Sequence, residues 1–374
     1  MRKQSLAILS LAYPMPNEPS YTFLEQLVNE FVKLGTTCTV IVPTCHIKRI
    51  LKRLPRAPYR EVRNVSGGAV TILRPEFLSI GKSRMTVSSF KRAAKRAILS
   101  LPEKPDALYS HFLFPAGLAA SEISKETGIP AFLAFGESDP SLFSFIDKGY
   151  MRDRVSDLQG IVCVSEANRQ MLIDEGLLAD PAKAHVFPNG VDTSVFRPMS
   201  RKDARKKLGI PQDAFVVGFV GSFIERKGVR VLCDAIDMVE SASGLFIGYG
   251  EEQKPSCKNI AFEGRLDHKE IPSVLCAADI FALPTLAEGC CNAIIEAMAC
   301  GLPVVSADAP FNDGLLDETN SIRIDPKDAA AIARAISLLQ KDDALRQRLA
   351  EGALLKAQSL AIENRAEAIL RFMR

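Results

Sequence analysis

Two glutamates, Glu288 and Glu296, enclose a short glycine- and cysteine-containing segment in the second half of the chain. Residues 293–300 are apolar apart from Glu296, which predicts a buried helix that begins just after Glu288. The first N–H groups of such a helix are free, and its dipole favours a phosphate. Both glutamates could instead lie on a solvated helix face, but an isolated carboxylate in an apolar helix needs a partner. Because Glu296 can accept hydrogen bonds from two ribose hydroxyls, the segment predicts a site for a phosphorylated nucleoside.

A second segment places two cations after a predicted strand. Residues 215–220 are apolar, and Arg226 and Lys227 follow them in a turn that ends at Gly228. Both side chains can form charge-assisted hydrogen bonds with a phosphate. Basic residues also occupy ordinary exposed turns, so this turn by itself is only weakly specific for phosphate.

A histidine in the first half of the chain stands at a position typical of functional residues. His111 ends a predicted strand, and ligands of open α/β sheets bind at the carboxyl ends of strands. A lone histidine is more often structural, but this placement favours a role in proton transfer or binding. The remaining histidines lack such a placement and form no cluster with metal-ligand spacing, so we expect no catalytic metal. They are His46, His185 and His268.

Short apolar segments alternate with helical patterns along almost the whole chain, which predicts parallel sheets covered by helices. Pro188, Gly190 and Pro198 interrupt the pattern, and it then restarts. The sequence therefore predicts two doubly wound α/β domains in tandem, with a ligand crevice between them. The 374 residues are enough for two such cores. We expect a first domain at 1–195, a second at 196–358, and a C-terminal helix at 359–374 that packs back toward the first.

The apolar pattern also predicts individual elements. Near the N-terminus, Thr22 and Glu25 are expected to form the capping box of a helix that Gly35 ends. Helices of the second domain are expected at 229–239, 271–277 and 293–300. Strands are expected at 5–12, 38–42, 69–73, 107–109, 131–135, 160–164 and 185–187 in the first domain, and at 215–220, 244–247, 280–283 and 303–306 in the second.

The charge balance and the cysteine content indicate which partners and which cellular compartment to expect. The 47 Lys and Arg residues nearly balance the 44 Asp and Glu residues, which argues against nucleic-acid binding. Most of the excess lies in residues 48–96, where fourteen basic residues accompany only Glu61 and Glu76. This region is either a solvated face or a surface for an anionic partner. Nine scattered cysteines, with no signal peptide or membrane-spanning apolar run, lead us to expect a cytoplasmic protein.

The spacing from Glu288 to Glu296, continued as E-A-M-A-C-G-L-P-V, resembles the signature of the family 4 glycosyltransferases of the GT-B fold. The resemblance covers most of the chain and is strongest over residues 186–306. It implies two Rossmann-like domains and a retaining, metal-independent, hexosyl-type transfer from a nucleotide-sugar without a cofactor. The companion motifs are P-N-G-V-D at 188–192, V-G-S-F-I-E-R-K-G at 220–228, E-G-R at 263–265 and A-D-I-F-A-L-P at 278–284.

The resemblance implies roles in donor binding for residues of the second domain. Glu296 would bind the ribose, while Lys227 and Arg226 would bind the pyrophosphate. Glu288 would contact the donor sugar or stabilise positive charge at its anomeric carbon. Ser222 stands where the family often has an arginine, so one of the usual charges is absent there. The remaining donor contacts would come from Gly289, Cys290, Cys291 and Asn292.

The resemblance places the acceptor side in the first domain. His111 would lie beside the transferred sugar and the acceptor. Residues 135–139 read F-G-E-S-D where many members read H-G-S-D, so Asp139 matches the family and Glu137 does not. Both are expected on the acceptor side. Gly136 occupies the position of the family's histidine.

The resemblance also implies partners and a setting. Many members act on lipid-linked acceptors at the inner membrane face, and the expected acceptor is a glycan or a lipid-linked glycan. Residues 87–99 form a predicted amphipathic helix, which is expected either to touch an anionic membrane or to be an ordinary solvated face. The proline-rich loop at 13–21 resembles the teichuronic-acid and exopolysaccharide branch, so we expect cell-surface polysaccharide or capsule synthesis. We expect UDP-sugars as donors. The cations of the predicted amphipathic helix at 87–99 are Lys91, Arg92, Lys95 and Arg96.

Two other classes of protein remain as alternatives. A dinucleotide-dependent oxidoreductase would also have tandem Rossmann-like sheets, but no G-x-G-x-x-G opens a helix after a strand here. A non-catalytic GT-B scaffold would explain the departures at Ser222 and Gly136. Against the scaffold, both signature glutamates, Lys227 and His111 are all present.

Overall fold

The structure is a computed structural model that describes residues 3–15, 21–46, 58–138 and 141–374. Asp139 and residues 48–57 of the basic region, which carried predictions above, lie outside the described residues. The chain divides into two compact units, Met1–Pro188 with Arg365–Arg374, and Asn189–Asn364.

An eight-stranded sheet forms the centre of the first unit. Its strands and those of a separate two-stranded ladder are β1 (Ser5–Leu9), β2 (Thr37–Ile41), β3 (Thr44–Cys45), β4 (Arg60–Val65), β5 (Gly68–Leu73), β6 (Glu76–Phe77), β7 (Ala107–His111), β8 (Ala131–Phe135), β9 (Gly160–Cys163) and β10 (Ala184–Val186). The order is β10-β9-β8-β7-β1-β2-β5-β4, with β3 paired to β6. Every described pairing is parallel except that of β4 with β5.

Helices cover both faces of this sheet because its central strands are apolar on both sides. Along β1, Ala7 and Leu9 belong to one buried cluster, whereas Leu6 and Ile8 belong to the other. This alternation is the two-residue period of a strand that is buried on both faces. The helices of the first unit are α1 (Thr22–Lys33), α2 (Arg84–Leu99), α3 (Leu118–Thr127), α4 (Leu142–Phe145), α5 (Lys148–Ser156) and α6 (Glu166–Asp174).

One sequence prediction for this unit is wrong, and one strand was not predicted. The residue preceding α1 is Tyr21, and no side chain caps the helix, so the Thr22–Glu25 capping box does not form. Glu25 instead accepts a hydrogen bond from Arg63 at 2.7 Å, a charged partner that replaces the local one. The sheet also has an antiparallel edge strand, β4, which the sequence analysis did not predict.

A six-stranded parallel sheet forms the centre of the second unit. Its order is β13-β12-β11-β14-β15-β16, so β11 and β14 are central neighbours. The strands are β11 (Phe215–Ser222), β12 (Ala242–Tyr249), β13 (Ile260–Gly264), β14 (Ile280–Leu283), β15 (Val304–Ala307) and β16 (Ser321–Ile324). The helices are α7 (Arg201–Leu208), α8 (Val229–Asp237), α9 (Ile271–Leu275), α10 (Asn292–Ala299), α11 (Ala329–Lys341), α12 (Asp343–Ser359) and α13 (Ile362–Phe372), the last of which continues into the first unit.

A buried ion pair fixes the two strands that carry the second unit's candidate residues. Asp279, directly before β14, accepts hydrogen bonds from Arg205 of α7 and from the N–H of Val216 in β11, both at 2.7 Å. Arg205 and Asp279 are both buried, and Arg201 adds a second contact to the same carboxylate at 2.6 Å. The aspartate of the A-D-I-F-A-L-P motif is therefore structural. It holds the starts of β11 and β14, whose other ends lead to Lys227 and Glu288.

Candidate functional site

The helix predicted after Glu288 is α10, and it begins at Asn292. Its buried residues include Ile294, Ile295 and Met298, which explains the apolar run of the sequence. Gly289, Cys290 and Cys291 precede it and are buried. Burial raises the pKa of the Cys291 thiol to about 12, so this thiol stays protonated and is not an activated nucleophile.

Both predicted cations contact Glu288. Lys227 Nζ lies 2.5 Å from Glu288 Oε1, and Arg226 Nη1 lies 3.1 Å from the same oxygen. Thr285 Oγ1 lies 2.8 Å from it as well. The Lys227 and Glu288 side chains are only 14% and 11% exposed, so this cluster is weakly screened by solvent. Two cations against one carboxylate leave local positive charge beside the segment that precedes α10.

Gly228 allows the turn that carries Arg226 and Lys227 to pack close to the segment that carries Glu288. Its φ is +71°, and a Cβ there would lie 2.2 Å from the carbonyl oxygen of Pro284. Only glycine combines this left-handed conformation with so close an approach. The turn with Arg226 and Lys227 therefore packs directly against the end of β14, which leads to Glu288. Arg226 Nη1 also donates a hydrogen bond to the Ala287 carbonyl.

Glu296 has a partner that the sequence analysis missed. His268 Nε2 lies 2.8 Å from Glu296 Oε1, and both side chains are largely buried. The sequence analysis gave His268 no place near the candidate residues, whereas the structure puts it in contact with one of them. The buried, isolated Glu296 was the available signal that a partner was needed, but nothing in the sequence named the residue. Burial alone would lower the pKa of His268, but the hydrogen bond and charge of Glu296, with the charge of Asp192, raise it overall.

A hydrogen-bonded link fixes the segment between the two glutamates. The Asn189 N–H donates to Cys290 Sγ at 3.3 Å, and the Asn189 side-chain amide donates to the Cys290 carbonyl at 3.1 Å. Asn189 belongs to the P-N-G-V-D motif, so this motif supports the candidate site. Within the part of the chain that the structure describes, Asn292 Oδ1 is buried without a hydrogen-bond partner. Ser222 is half-buried and is the last residue of β11, shortly before Arg226 and Lys227 in the chain.

In the first unit, His111 ends β7 as predicted for a strand-end residue. The residue is 5% exposed and lies among aromatic rings, with Phe112 stacked at 5.1 Å and Phe23 edge-on at 5.2 Å. Burial, assisted by the charge of Arg365, lowers the pKa of His111 to about 3. The imidazole is therefore neutral near pH 7. Neither ring nitrogen has a hydrogen-bond partner among the described residues.

Glu137 lies at the end of the neighbouring strand, β8. Its carboxylate accepts hydrogen bonds from the N–H of Leu113 at 2.6 Å and from the N–H of Gly136 at 3.0 Å. Burial of the carboxyl group raises the pKa of Glu137 to about 7, although these backbone hydrogen bonds oppose the rise. Glu137 thus joins the carboxyl ends of β7 and β8, close in the sheet to His111.

The structure therefore assembles the candidate residues into two groups, one in each unit. Among the described residues, no group of three or more His, Cys, Asp or Glu is placed to hold a metal ion. None of the helices described here is both long and apolar enough to cross a membrane.

Comparison with known proteins agrees with this architecture. Residues 22–195 match the family described as Glycosyltransferase Family 4, and residues 214–342 match Glycosyl transferases group 1. TuaC of Bacillus subtilis (strain 168), which bears the name of a teichuronic acid biosynthesis glycosyltransferase, is 26% identical over 358 residues, or 92% of this chain and 91% of TuaC.

Solved structures show the same fold. Sucrose-phosphate synthase from Thermosynechococcus elongatus has a TM-score of 0.79 at 18% identity, covering 99% of this chain and 98% of its own. HepE of Anabaena, crystallised in complex with UDP-glucose, has a TM-score of 0.71 at 18% identity and covers 98% of each chain. Together with the sheets described above, these matches define a glycosyltransferase enzyme with the GT-B fold. Residues 22–195 and 214–342 thus carry the family 4 and group 1 glycosyltransferase domains, in agreement with the family that the signature from Glu288 to Glu296 predicted.

Proposed function

We propose that the protein is a retaining, metal-independent glycosyltransferase that moves a hexose from a UDP-sugar to a glycan or lipid-linked acceptor in cell-surface polysaccharide synthesis. One observation carries the donor assignment. Two carboxylate contacts flank the start of α10 in the chain: Glu288 with Lys227 before the helix and Glu296 with His268 within it. This arrangement offers cations and free N–H groups to a diphosphate and a carboxylate to a ribose.

Each end of the donor has a distinct set of partners in this proposal. The diphosphate would meet Lys227, Arg226 and the first N–H groups of α10, while the ribose would meet Glu296. Lys227 would then divide its hydrogen bonds between Glu288 and the phosphate. As the sugar leaves, positive charge at its anomeric carbon would be stabilised by Glu288, and negative charge on the leaving phosphate by the two cations. These cations perform the charge neutralisation for which other transferases use a metal.

The state of His111 supports a binding role in the first unit. A neutral imidazole with two buried, unpaired nitrogens can donate to one hydroxyl and accept from another, whereas a pKa of about 3 makes it a weak base at pH 7. In this proposal, the bond from the anomeric carbon to the leaving phosphate breaks and the bond to the acceptor oxygen forms on the same face. The acceptor proton goes to the leaving phosphate oxygen. His111 and Glu137 would orient the acceptor.

Relatives support the donor and the pathway. TuaC carries a name from teichuronic acid biosynthesis, and HepE was crystallised with UDP-glucose.

We expect UDP-glucose at 100 times its dissociation constant to stabilise the protein by about 2.7 kcal/mol, with GDP-glucose and ADP-glucose giving smaller shifts. A thermal-shift panel of the three measures this. Preferential stabilisation by GDP- or ADP-glucose would contradict the choice of UDP, and donor binding without any turnover would favour the non-catalytic scaffold.

We also propose that α2 contacts an anionic membrane surface, at the inner membrane face, through its exposed arginines. Lys91 and Lys95 are paired with Glu126, at 2.9 and 2.6 Å, so their charges are partly neutralised. Arg92 and Arg96 are exposed, and Leu99, 65% exposed, adds an apolar side chain at the end of the same helix. The membrane-active residues would thus be a subset of the four cations singled out in the sequence.

This surface predicts unequal effects for two pairs of substitutions. Each exposed cation near an anionic bilayer contributes about 1 kcal/mol, so Arg92→Ser with Arg96→Ser should weaken binding roughly tenfold or more. Lys91→Ser with Lys95→Ser should have a smaller effect. Co-sedimentation with phosphatidylglycerol vesicles measures both, with Lys206→Ser and Lys207→Ser, exposed on α7, as the matched control. Equal sedimentation of the wild-type protein and the arginine variant would remove the membrane proposal.

A further inference from the structure

We infer that His268 is a positioning residue whose imidazole fixes the Glu296 carboxylate in the orientation that binds the nucleotide's ribose. This inference rests on the donor role proposed for Glu296. The hydrogen bond between His268 Nε2 and Glu296 Oε1, 2.8 Å long, carries it.

The contact leaves the carboxylate able to bind a ligand. An ionised carboxylate has about four acceptor positions on its two oxygens, and His268 uses one of them. The remaining positions can accept both hydroxyls of a ribose. Because His268 restricts rotation of the carboxylate, less conformational freedom is lost when the ribose binds.

The imidazole is itself held in place. The ring of Phe196 packs against it with centroids 5.0 Å apart and the planes inclined by 57°. The side chains of His268 and Glu296 are 24% and 13% exposed, so solvent competes little with their hydrogen bond. Phe196 follows shortly after Asp192, the last residue of the P-N-G-V-D motif. This part of the chain therefore contacts both Cys290, through Asn189, and His268, through Phe196.

The charged groups around His268 set its pH dependence. Glu296 faces it from α10 and Asp192 from the segment after β10, while Asp267, Lys269 and Glu270 are exposed neighbours on its own loop. The two carboxylates favour the imidazolium, which raises the pKa of His268 above its ordinary value. The charge-assisted contact is therefore complete below this raised pKa and loses its charge as the pH rises through it.

Titration of UDP-glucose by calorimetry between pH 6 and 9 tests the inference, because this donor has no group that titrates near neutrality. We expect His268→Ala to weaken binding about tenfold at the acidic end, the loss of one charge-assisted hydrogen bond. His268→Gln retains a donor without the charge, so it should bind within about threefold of the wild-type protein at pH 9 and show a flat pH profile. Affinity of the wild-type protein should fall as the pH rises.

The controls separate this inference from the proposed function. His185→Ala, an exposed histidine of the first unit, should leave binding and its pH profile unchanged. A His268→Ala variant that binds like the wild-type protein, or a His268→Gln variant with the wild-type pH profile, would overturn the positioning role alone. If His268→Ala does not fold, the glutamine variant and the wild-type profile still decide. A wild-type protein that binds none of UDP-, GDP- and ADP-glucose would overturn the proposed function as well.

Discussion

Replacing Glu296 with alanine is expected to lower kcat/KM for the nucleotide-sugar at least about 100-fold. In the proposed site the variant would lose two charge-assisted hydrogen bonds to the ribose, each worth about 1.5–3 kcal/mol, and it also leaves His268 without its carboxylate partner. The fold should survive, since alanine is the best helix former and Glu296 lies within α10. Release of UDP measures turnover, and circular dichroism checks the fold.

The matched control for this variant is Glu351→Ala, an exposed glutamate of α12 in the same unit. It should retain wild-type turnover. A folded Glu296→Ala variant with unchanged kcat/KM would show that the ribose is bound elsewhere.

The second large effect is expected for Lys227→Ala, which should lower kcat/KM about 100-fold or more. Lys227 is only 14% exposed, so in the proposed reaction its charge would act on the leaving phosphate with little solvent screening. Arg226 is 37% exposed and also bound to the Ala287 carbonyl, so Arg226→Ala should cost less. Steady-state kinetics of both variants, with the exposed Arg230→Ala as control, test this order. A larger loss for Arg226→Ala would assign the main phosphate contact to the arginine and contradict our account.

Local patterns were enough to predict most of the strands and the helix of the candidate site. The buried strands at 131–135 and 280–283 have the predicted bounds, because continuous apolar runs that turn residues enclose are unambiguous. Strand β4 reads R-E-V-R-N-V, and its charged residues concealed an edge strand within the basic region. The capping box failed because a residue distant in the chain, Arg63, binds Glu25.

The partners within the site could not be predicted, because they lie far apart in the sequence. Lys227 and Glu288 are 61 positions apart, and their contact depends on β11 and β14 being neighbours in the sheet. His268 and Glu296 are 28 positions apart, and the histidine lies in a loop that no local pattern marks. The sequence identified both glutamates from burial and spacing, whereas the residues that orient them required the fold.

Calorimetric titration of UDP into four proteins tests the central claim most directly, namely that the second unit binds the nucleotide. The wild-type protein and His111→Ala should bind UDP within about threefold of each other, because His111 lies in the first unit and is assigned to the acceptor. Glu296→Ala should bind at least about 100-fold more weakly, since it would lose two charge-assisted hydrogen bonds to the ribose, and Lys227→Ala at least about tenfold more weakly, since it would lose one to the phosphate. Wild-type affinity in the Glu296→Ala and Lys227→Ala variants, with binding lost in His111→Ala, would place the nucleotide in the first unit. That result would contradict the account.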